Sequence, residues 1–197
     1  LGLNKPKYNC DFYKADISKE DEIKKALEKI NSIDILINNA GIAKIAKLEY
    51  TSTKIMNEMI DINFKGLFWI CKYSIPKIKS GGCATNISSL AGINSFEGYG
   101  IYCATKAAVI SLTKTLAIEL KDKKIRANSI APGIVETEIW EKMYGDKGKR
   151  MLNEFKKETL ANRAGRPEEI AHAAVFLIEN EFINGTVLNV DGREIAL

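Results

Sequence analysis

The sequence predicts an α/β domain: a doubly wound parallel sheet with helices on both faces. Three observations lead there. Short apolar runs closed by Gly, Asn or Pro-Gly alternate along the chain with longer helical patterns. Strands separated by helical segments imply βαβ units and therefore parallel pairing. The alternation runs without internal repeat, low-complexity tract or Pro/Ser-rich linker over 197 residues, a length that favours one domain, residues 1–197, with one sizeable core.

The elements follow in order. "DISKEDEIKKALEKI" reads as a helix, with Ser18 as N-cap and Asp21 at its third position. Ile23, Ala26, Leu27 and Ile30 recur on one helical face. "IDILINNAG" reads as a buried strand, Ile33 to Ile37, ending in a polar turn. Thr53 to Lys79 carries a long helical pattern, with Met56, Met59, Ile60 and Asn63 on neighbouring turns. "GGCATNISS" reads as a strand after a Gly-Gly turn, and residues 102–120 as an Ala-rich helix. "IRANSIAPG" is a buried strand closed by Pro132-Gly133. "RPEEIAHAAVFLI" places Pro167 in a first helical turn with two glutamates behind it, a start that suits the helix dipole. "TVLNVDG" is a last short strand.

Glu138 to Arg163 breaks the rhythm. It is lysine-rich with scattered Trp140, Met143, Met151, Leu152 and Phe155, and it is expected to form a substrate lid over 138–163. Its large apolar residues either face a substrate or only pack the lid down.

Composition narrows the function classes. The chain is 46% hydrophobic and 27% charged, with 4 prolines, a globular balance. The net charge of +4 comes from scattered lysines, without the clustered face that a nucleic acid needs. No apolar run is read as a membrane span, and the opening "LGLNKPKYN" lacks the apolar core of a signal peptide. Cys10, Cys71, Cys83 and Cys103 sit far apart without CxxC spacing, so no metal site is expected and a cytoplasmic, reduced state is. His172, the single histidine, reads as a helix-surface residue.

The chemistry centres on "SSLAGINSFEGYGIYCATK". Tyr102 and Lys106, four apart on a helix, point to the same side. A free phenol has a pKa near 10. A positive charge at roughly 4 Å, in an effective dielectric of about 20, favours the phenolate by about 4 kcal/mol. At about 1.4 kcal/mol per unit, that is a shift of two to three units, enough for a general acid/base. Ser89, at the end of a strand, is placed to hold a substrate oxygen, since carboxyl ends of strands in α/β sheets are where ligands bind. "NNAG", Asn38 to Gly41, ends a strand where Ala40 and Gly41 let a flat ligand approach the backbone. Asn63, polar on an otherwise apolar helical side, needs a partner. "APGIVET" breaks a strand and then offers a hydroxyl at Thr137. Each feature alone has a plain structural reading, and it is their combination and order that point to function.

Asp16, Asn38-Asn39-Ala40-Gly41, Asn63, Ser89, Tyr102, Lys106, Pro132-Gly133, Thr137 and Asp191-Gly192 together resemble the classical short-chain dehydrogenase/reductase family over essentially the whole chain. The resemblance implies a Rossmann-like fold and an NAD- or NADP-dependent oxidoreductase interconverting a secondary alcohol and a ketone. The small-molecule substrate would be a 3-oxoacyl thioester or a sugar or other alcohol. It implies Tyr102 as acid/base, Ser89 orienting the carbonyl oxygen, and Lys106 lowering the phenol pKa and binding the nicotinamide ribose. Asn63 would support a water-mediated proton relay. Asp16, Ile17 and the Asn38 turn, with Ala40 and Gly41, would line the adenosine end. Pro132, Gly133, Val135 and Thr137 would hold the carboxamide end. A homodimer or homotetramer paired through helices 53–79 and 102–120 is also implied.

The sequence departs from the family at two places. The family opens with a strand, a TGxxxGxG phosphate turn and a helix. No such unit precedes "CDFYKAD" here. Because that first strand lies mid-sheet beside the fourth, its absence is expected to leave unpaired edges and an exposed apolar face. The 197 residues are therefore expected to be part of a chain roughly a quarter longer. The other departure is "DGREIAL", where the family has a second glycine. The competing reading is a non-catalytic or cofactor-deficient binding subunit of the same fold. The missing phosphate turn favours it, and the retained Ser89, Tyr102, Lys106 and Asn63 oppose it.

Overall fold

A computed structural model of the chain describes residues 1–4 and 9–192; the altered glycine of "DGREIAL" lies outside them. Four strands form one parallel sheet in the order β1 (Ile33–Asn38), β2 (Ile78–Ile87), β3 (Arg126–Pro132), β4 (Val187–Val190). Helices fill the connections: α1 (Glu20–Glu28), α2 (Thr53–Ile60), α3 (Leu67–Ser74), α4 (Gly100–Glu119), α5 (Ile139–Tyr144), α6 (Gly148–Phe155) and α7 (Pro167–Glu179).

Both faces carry helices. On one, Leu67 and Cys71 of α3 and Val109, Leu116 and Ala117 of α4 close over Ile78, Ala84, Ile125 and Ala127. Ile23 and Leu27 of α1 pack outside α3 against Ile70. On the other face Ala174 and Leu177 of α7 cover Ile130, with Ile87, Leu188 and Val190 around them. At about 25 cal/mol per Å² of apolar area, these two layers carry most of the driving force for the fold.

Four local expectations are corrected. Ser18 does not cap α1. Its backbone N–H and hydroxyl both donate to Asp16 Oδ1, at 2.9 and 2.7 Å, so the helix starts one residue later, behind Lys19. The β1 strand is not buried on both faces. Ile35 and Ile37 are 46% and 48% exposed, because they share the α7 face of the sheet and α7 reaches only β2 to β4. The helical run from Thr53 stops at Ser74, not Lys79. Pro76 ends it in a 3-10 turn, and Ile78 already pairs with Ile33 in the sheet. The Gly-Gly pair lies inside β2 as a bulge: Gly81 has φ +84°, and a Cβ on Gly82 would sit 2.6 Å from the Asp34 carbonyl.

Among the described residues one helix, Gly100–Glu119, is long and apolar enough to cross a membrane, against the expectation that no apolar run reaches that length. In the fold it is a core helix: Thr105, Lys106 and Thr113 are buried on it and each is hydrogen-bonded inside the protein.

Candidate active site

Ser89, at the carboxyl end of β2, is the N-cap of a short 3-10 turn, its Oγ accepting from Ala91 N–H at 3.1 Å. Tyr102 sits in the first turn of α4 and Lys106 one turn on. The Ser89 hydroxyl approaches the Tyr102 phenol closely enough to favour its ionised form. The Lys106 ammonium lies 5.8 Å from the centre of the Tyr102 ring and donates to the Ile87 carbonyl at 2.9 Å. All three side chains therefore meet at the end of β2. The approach of α4 to β2 depends on Gly92. A Cβ there would stand 2.7 Å from the Lys106 backbone and 2.8 Å from Ser88 Oγ, which itself donates to the Lys106 carbonyl.

The electrostatics differ from the sequence expectation. Burial pushes the Tyr102 phenol above its ordinary value; the Ser89 hydroxyl pulls the other way, and the Cys103 thiol adds a small upward push. Lys106, only 5% exposed, is itself pushed down to about 8 by burial. The attraction between a phenolate and an ammonium in a screened medium leaves out the cost of burying both, and it is burial that sets the direction of the Tyr102 shift. Tyr102 is thus a protonated acid at neutral pH, not a ready phenolate.

Asn63 is not in an α-helix. Asp61–Gly66 forms a π-helical segment between α2 and α3, a local widening common at functional sites. Buried to 3% exposure, Asn63 finds the partners it needs. Its amide accepts from Ile42 N–H and donates to Ile42 O, both at 2.8 Å, and donates to Thr105 Oγ1 at 3.1 Å. Thr105 Oγ1 donates in turn to the Tyr102 carbonyl at 2.8 Å. Asn63 so ties the loop after β1 to the turn that carries Tyr102.

The remaining predicted residues divide. Asn39, Ala40 and Gly41 form an exposed ledge at the end of β1. A Cβ on Gly41 would stand 3.3 Å from both Lys106 Nζ and Asn63 Oδ1, so the bare backbone there opens onto both groups. The Asn38 side chain turns inward, donating to Asn86 Oδ1 at 2.8 Å and to Cys71 Sγ at 3.6 Å, and burial raises that thiol to about 12. Only its backbone remains for a ligand. Asp16 is held below its ordinary pKa by the Ser18 hydrogen bonds, and the Ile17 carbonyl would lie 2.6 Å from a Cβ on Gly66, which fixes that loop against the π segment. Pro132 ends β3 and Gly133 packs on Asp191, where a Cβ would clash at 2.8 Å. Val135 bridges to Gly165, its carbonyl accepting from the Trp140 indole at 2.8 Å, and Thr137 is exposed beyond it.

Sequence reasoning missed Thr105, Ser88 and the Asn38–Asn86–Thr113 chain, whose partners are 18 to 48 residues apart. It also missed Tyr99 and Tyr144, whose hydroxyls lie 2.7 Å apart. Tyr99 was findable, being three residues before Tyr102 and so on the same side of the helix entry.

The ledge at Gly41, flanked by a buried ammonium and an amide, suits a hydroxylated, flat ligand; a ribose and nicotinamide fit it. A strand-end ledge of that kind beside a serine–tyrosine–lysine cluster defines a nicotinamide-dinucleotide oxidoreductase. The chain belongs to the short-chain dehydrogenase/reductase family. The family model described as enoyl-(acyl carrier protein) reductase matches residues 4–192. A 3-oxoacyl-(acyl-carrier-protein) reductase of Chlamydia muridarum is 37% identical over 189 residues, covering 92% of this chain and 75% of the relative. The ligand-free aldohexose dehydrogenase of Thermoplasma acidophilum superposes with a TM-score of 0.88 at 30% identity, covering 96% of this chain and 80% of that one. A small-chain dehydrogenase in complex with NADPH gives 0.85 at 31%, covering 90% and 81%. The protein is accordingly an NAD(P)-dependent oxidoreductase, and the comparisons lend nothing to the non-catalytic alternative.

Proposed function

We propose that the protein reduces the ketone of a 3-oxoacyl thioester to the secondary alcohol, with NADPH as coenzyme and Tyr102 as the proton donor. The observation that carries this is the convergence of the Ser89 hydroxyl and the Tyr102 phenol at the carboxyl end of β2, with Lys106 one helical turn behind. The 3-oxoacyl reductase and the NADPH-bound dehydrogenase among its relatives support the choice of substrate and coenzyme.

The residues act in a defined order. A substrate carbonyl entering between Ser89 and Tyr102 accepts from both hydroxyls. A nicotinamide held at the Gly41 ledge would supply the hydride for the carbonyl carbon. Charge then develops on the carbonyl oxygen, where the Ser89 hydroxyl stabilises it and the Tyr102 phenol delivers its proton. Phenolate formation is favoured at that moment by the Lys106 ammonium and opposed by burial, so the proton leaves Tyr102 only when the substrate oxygen takes it. Lys106 and Asn63, which flank Gly41, would hold the ribose hydroxyls and the loop beneath them.

Residues 138–163 serve as the lid in this reading. A cytoplasmic dimer or tetramer paired through α4 also fits, since the outward row Ala104, Ala107, Ser111, Thr115 and Ile118 is exposed and small or apolar.

The test is NADPH oxidation by the full-length protein with 3-oxoacyl thioesters, aldohexoses and simple ketones. Tyr102→Phe keeps the ring and removes the proton, and is expected to lower kcat at least about 100-fold. Turnover of aldohexoses but not of thioesters overturns the substrate class, and undiminished turnover by the Phe variant overturns the role of Tyr102.

A further inference from the structure

The Tyr99 and Tyr144 hydroxyls lie 2.7 Å apart although 45 residues separate them. Tyr99 is the residue just before α4, and its ring meets the Tyr102 ring edge-on at 6.2 Å. Tyr144 ends α5, and its ring stacks on Trp140 at 6.1 Å with 8° between planes. Trp140 is 8% exposed, touches Phe155 of α6 at 5.6 Å, and donates its indole N–H to the Val135 carbonyl. The contacts therefore run without a break from Tyr102 through Tyr99, Tyr144 and Trp140 to the loop after β3. Each polar tip on this path is used, and each ring contributes packing.

We propose that the Tyr99–Tyr144 hydroxyl pair is a clasp that holds the α5–α6 segment closed beside Tyr102 and so sets how tightly substrate is retained. The inference rests on the reading of Tyr102 as the proton donor at that site. Tyr99 and Tyr144 are positioning residues in this scheme, because they act through the segment they join.

Two features of the segment make a clasp necessary. Its helices have 6 and 8 residues, too short to persist without tertiary attachment. Its own ion pairs, Lys142–Glu138 and Arg150–Glu154, are exposed and stay within one helical turn, so they tie it to nothing outside itself. The Trp140 bond to Val135 is close in sequence and anchors the base of α5, where Tyr144 at its far end reaches the catalytic helix. Burial raises the Tyr144 phenol above its ordinary value, so that hydroxyl keeps its proton in the neutral range, and of the two hydroxyls one donates while the other accepts. Breaking a hydrogen bond between neutral groups shifts a closing equilibrium by about three- to tenfold.

The experiment compares wild type, Tyr99→Phe, Tyr144→Phe and the double variant of the full-length protein. Backbone hydrogen exchange is followed in residues 139–155, and KM and kcat are measured with NADPH and the best ketone substrate. Each single variant is expected to speed exchange in 139–155 and to raise KM, both by about three- to tenfold, with kcat within about twofold. The double variant is expected to match either single one, since each alone already breaks the pair. Unchanged exchange in both singles, additive effects in the double variant, or a fall in kcat at constant KM would each overturn the clasp. If the parent reduces no ketone, the proposed reaction fails while the exchange comparison still decides the clasp by itself.

Discussion

Helix α4 and the α5–α6 segment flank the same site and are held in opposite ways. Over its 20 residues α4 buries Thr105, Lys106, Val109, Thr113, Leu116 and Ala117. Its buried polar groups are bonded to other elements: Thr105 to Asn63, Thr113 to Asn86, and the Lys106 carbonyl to Ser88. Across α5 and α6 the buried residues are Trp140 and Gly148, and stacked rings, the Trp140 indole bond to the Val135 carbonyl and one hydroxyl pair make the attachment. The proton chemistry is thus mounted where long-range hydrogen bonds fix every side chain. The surface that meets the substrate is mounted where few bonds must break for it to move. Rigid placement of reacting groups and easy opening of a cover are different demands, and one chain meets both by distributing its buried polar contacts unevenly.

The sharpest way to break this contrast is Gly92→Ala. The added Cβ would meet Lys106 backbone atoms at 2.7 Å, and neither α4 nor the turn after β2 is free to yield. We expect a loss of about 2–3 kcal/mol in urea unfolding. A loss near zero would mean that α4 is not rigidly seated.

Lys106→Met comes next, with the opposite sign. Burial holds the Lys106 pKa at about 8, below its ordinary 10.5, so the folded state carries a desolvation penalty wherever the amine is charged. That penalty is complete below pH 8 and disappears as pH rises from about 8 to about 10.5, over which wild-type stability should increase. Met has no charge to bury and loses the bond to Ile87 O, so in dinucleotide-free protein it should be more stable by about 1–3 kcal/mol at pH 7. The advantage should vanish near pH 10.5. A variant less stable than wild type at pH 7 would show that the ammonium is fully compensated in the fold.

Trp140→Ala should have the smallest global effect of the three, although a buried Trp ordinarily costs about 3–5 kcal/mol when truncated. If the segment opens independently, the loss appears as fast hydrogen exchange confined to residues 139–158, with global unfolding lowered by less than about 1 kcal/mol. A full-sized global loss would instead make α5–α6 part of the core.

How much was legible follows from the range of each interaction. Tyr102 and Lys106 were readable because they are four apart on one helix, where spacing alone dictates that they share a side. The parallel sheet was readable from alternation. An exposed apolar face was expected, but that Ile35 and Ile37 carry it was not readable from "IDILIN", since an apolar run is the same in a covered and an uncovered strand; what decides is how far α7 extends. The apolar pattern runs on to Lys79, but the helix ends at Ser74 because Pro76 follows it. The π segment at Asn63 left no trace in composition, and the partners of its buried amide, Ile42 and Thr105, lie 21 and 42 residues away.

By itself, the sequence determined the alternating elements, the strand ends where ligands bind, and the identity and helical spacing of the reacting groups, since all of these are set by residues within a few positions of one another. Only the tertiary structure decided the protonation balance of Tyr102 and Lys106, the inward turn of Asn38, and the meeting of Tyr99 with Tyr144. Desolvation and hydrogen bonding between distant segments exist only after the chain has closed on itself, and no local pattern records them.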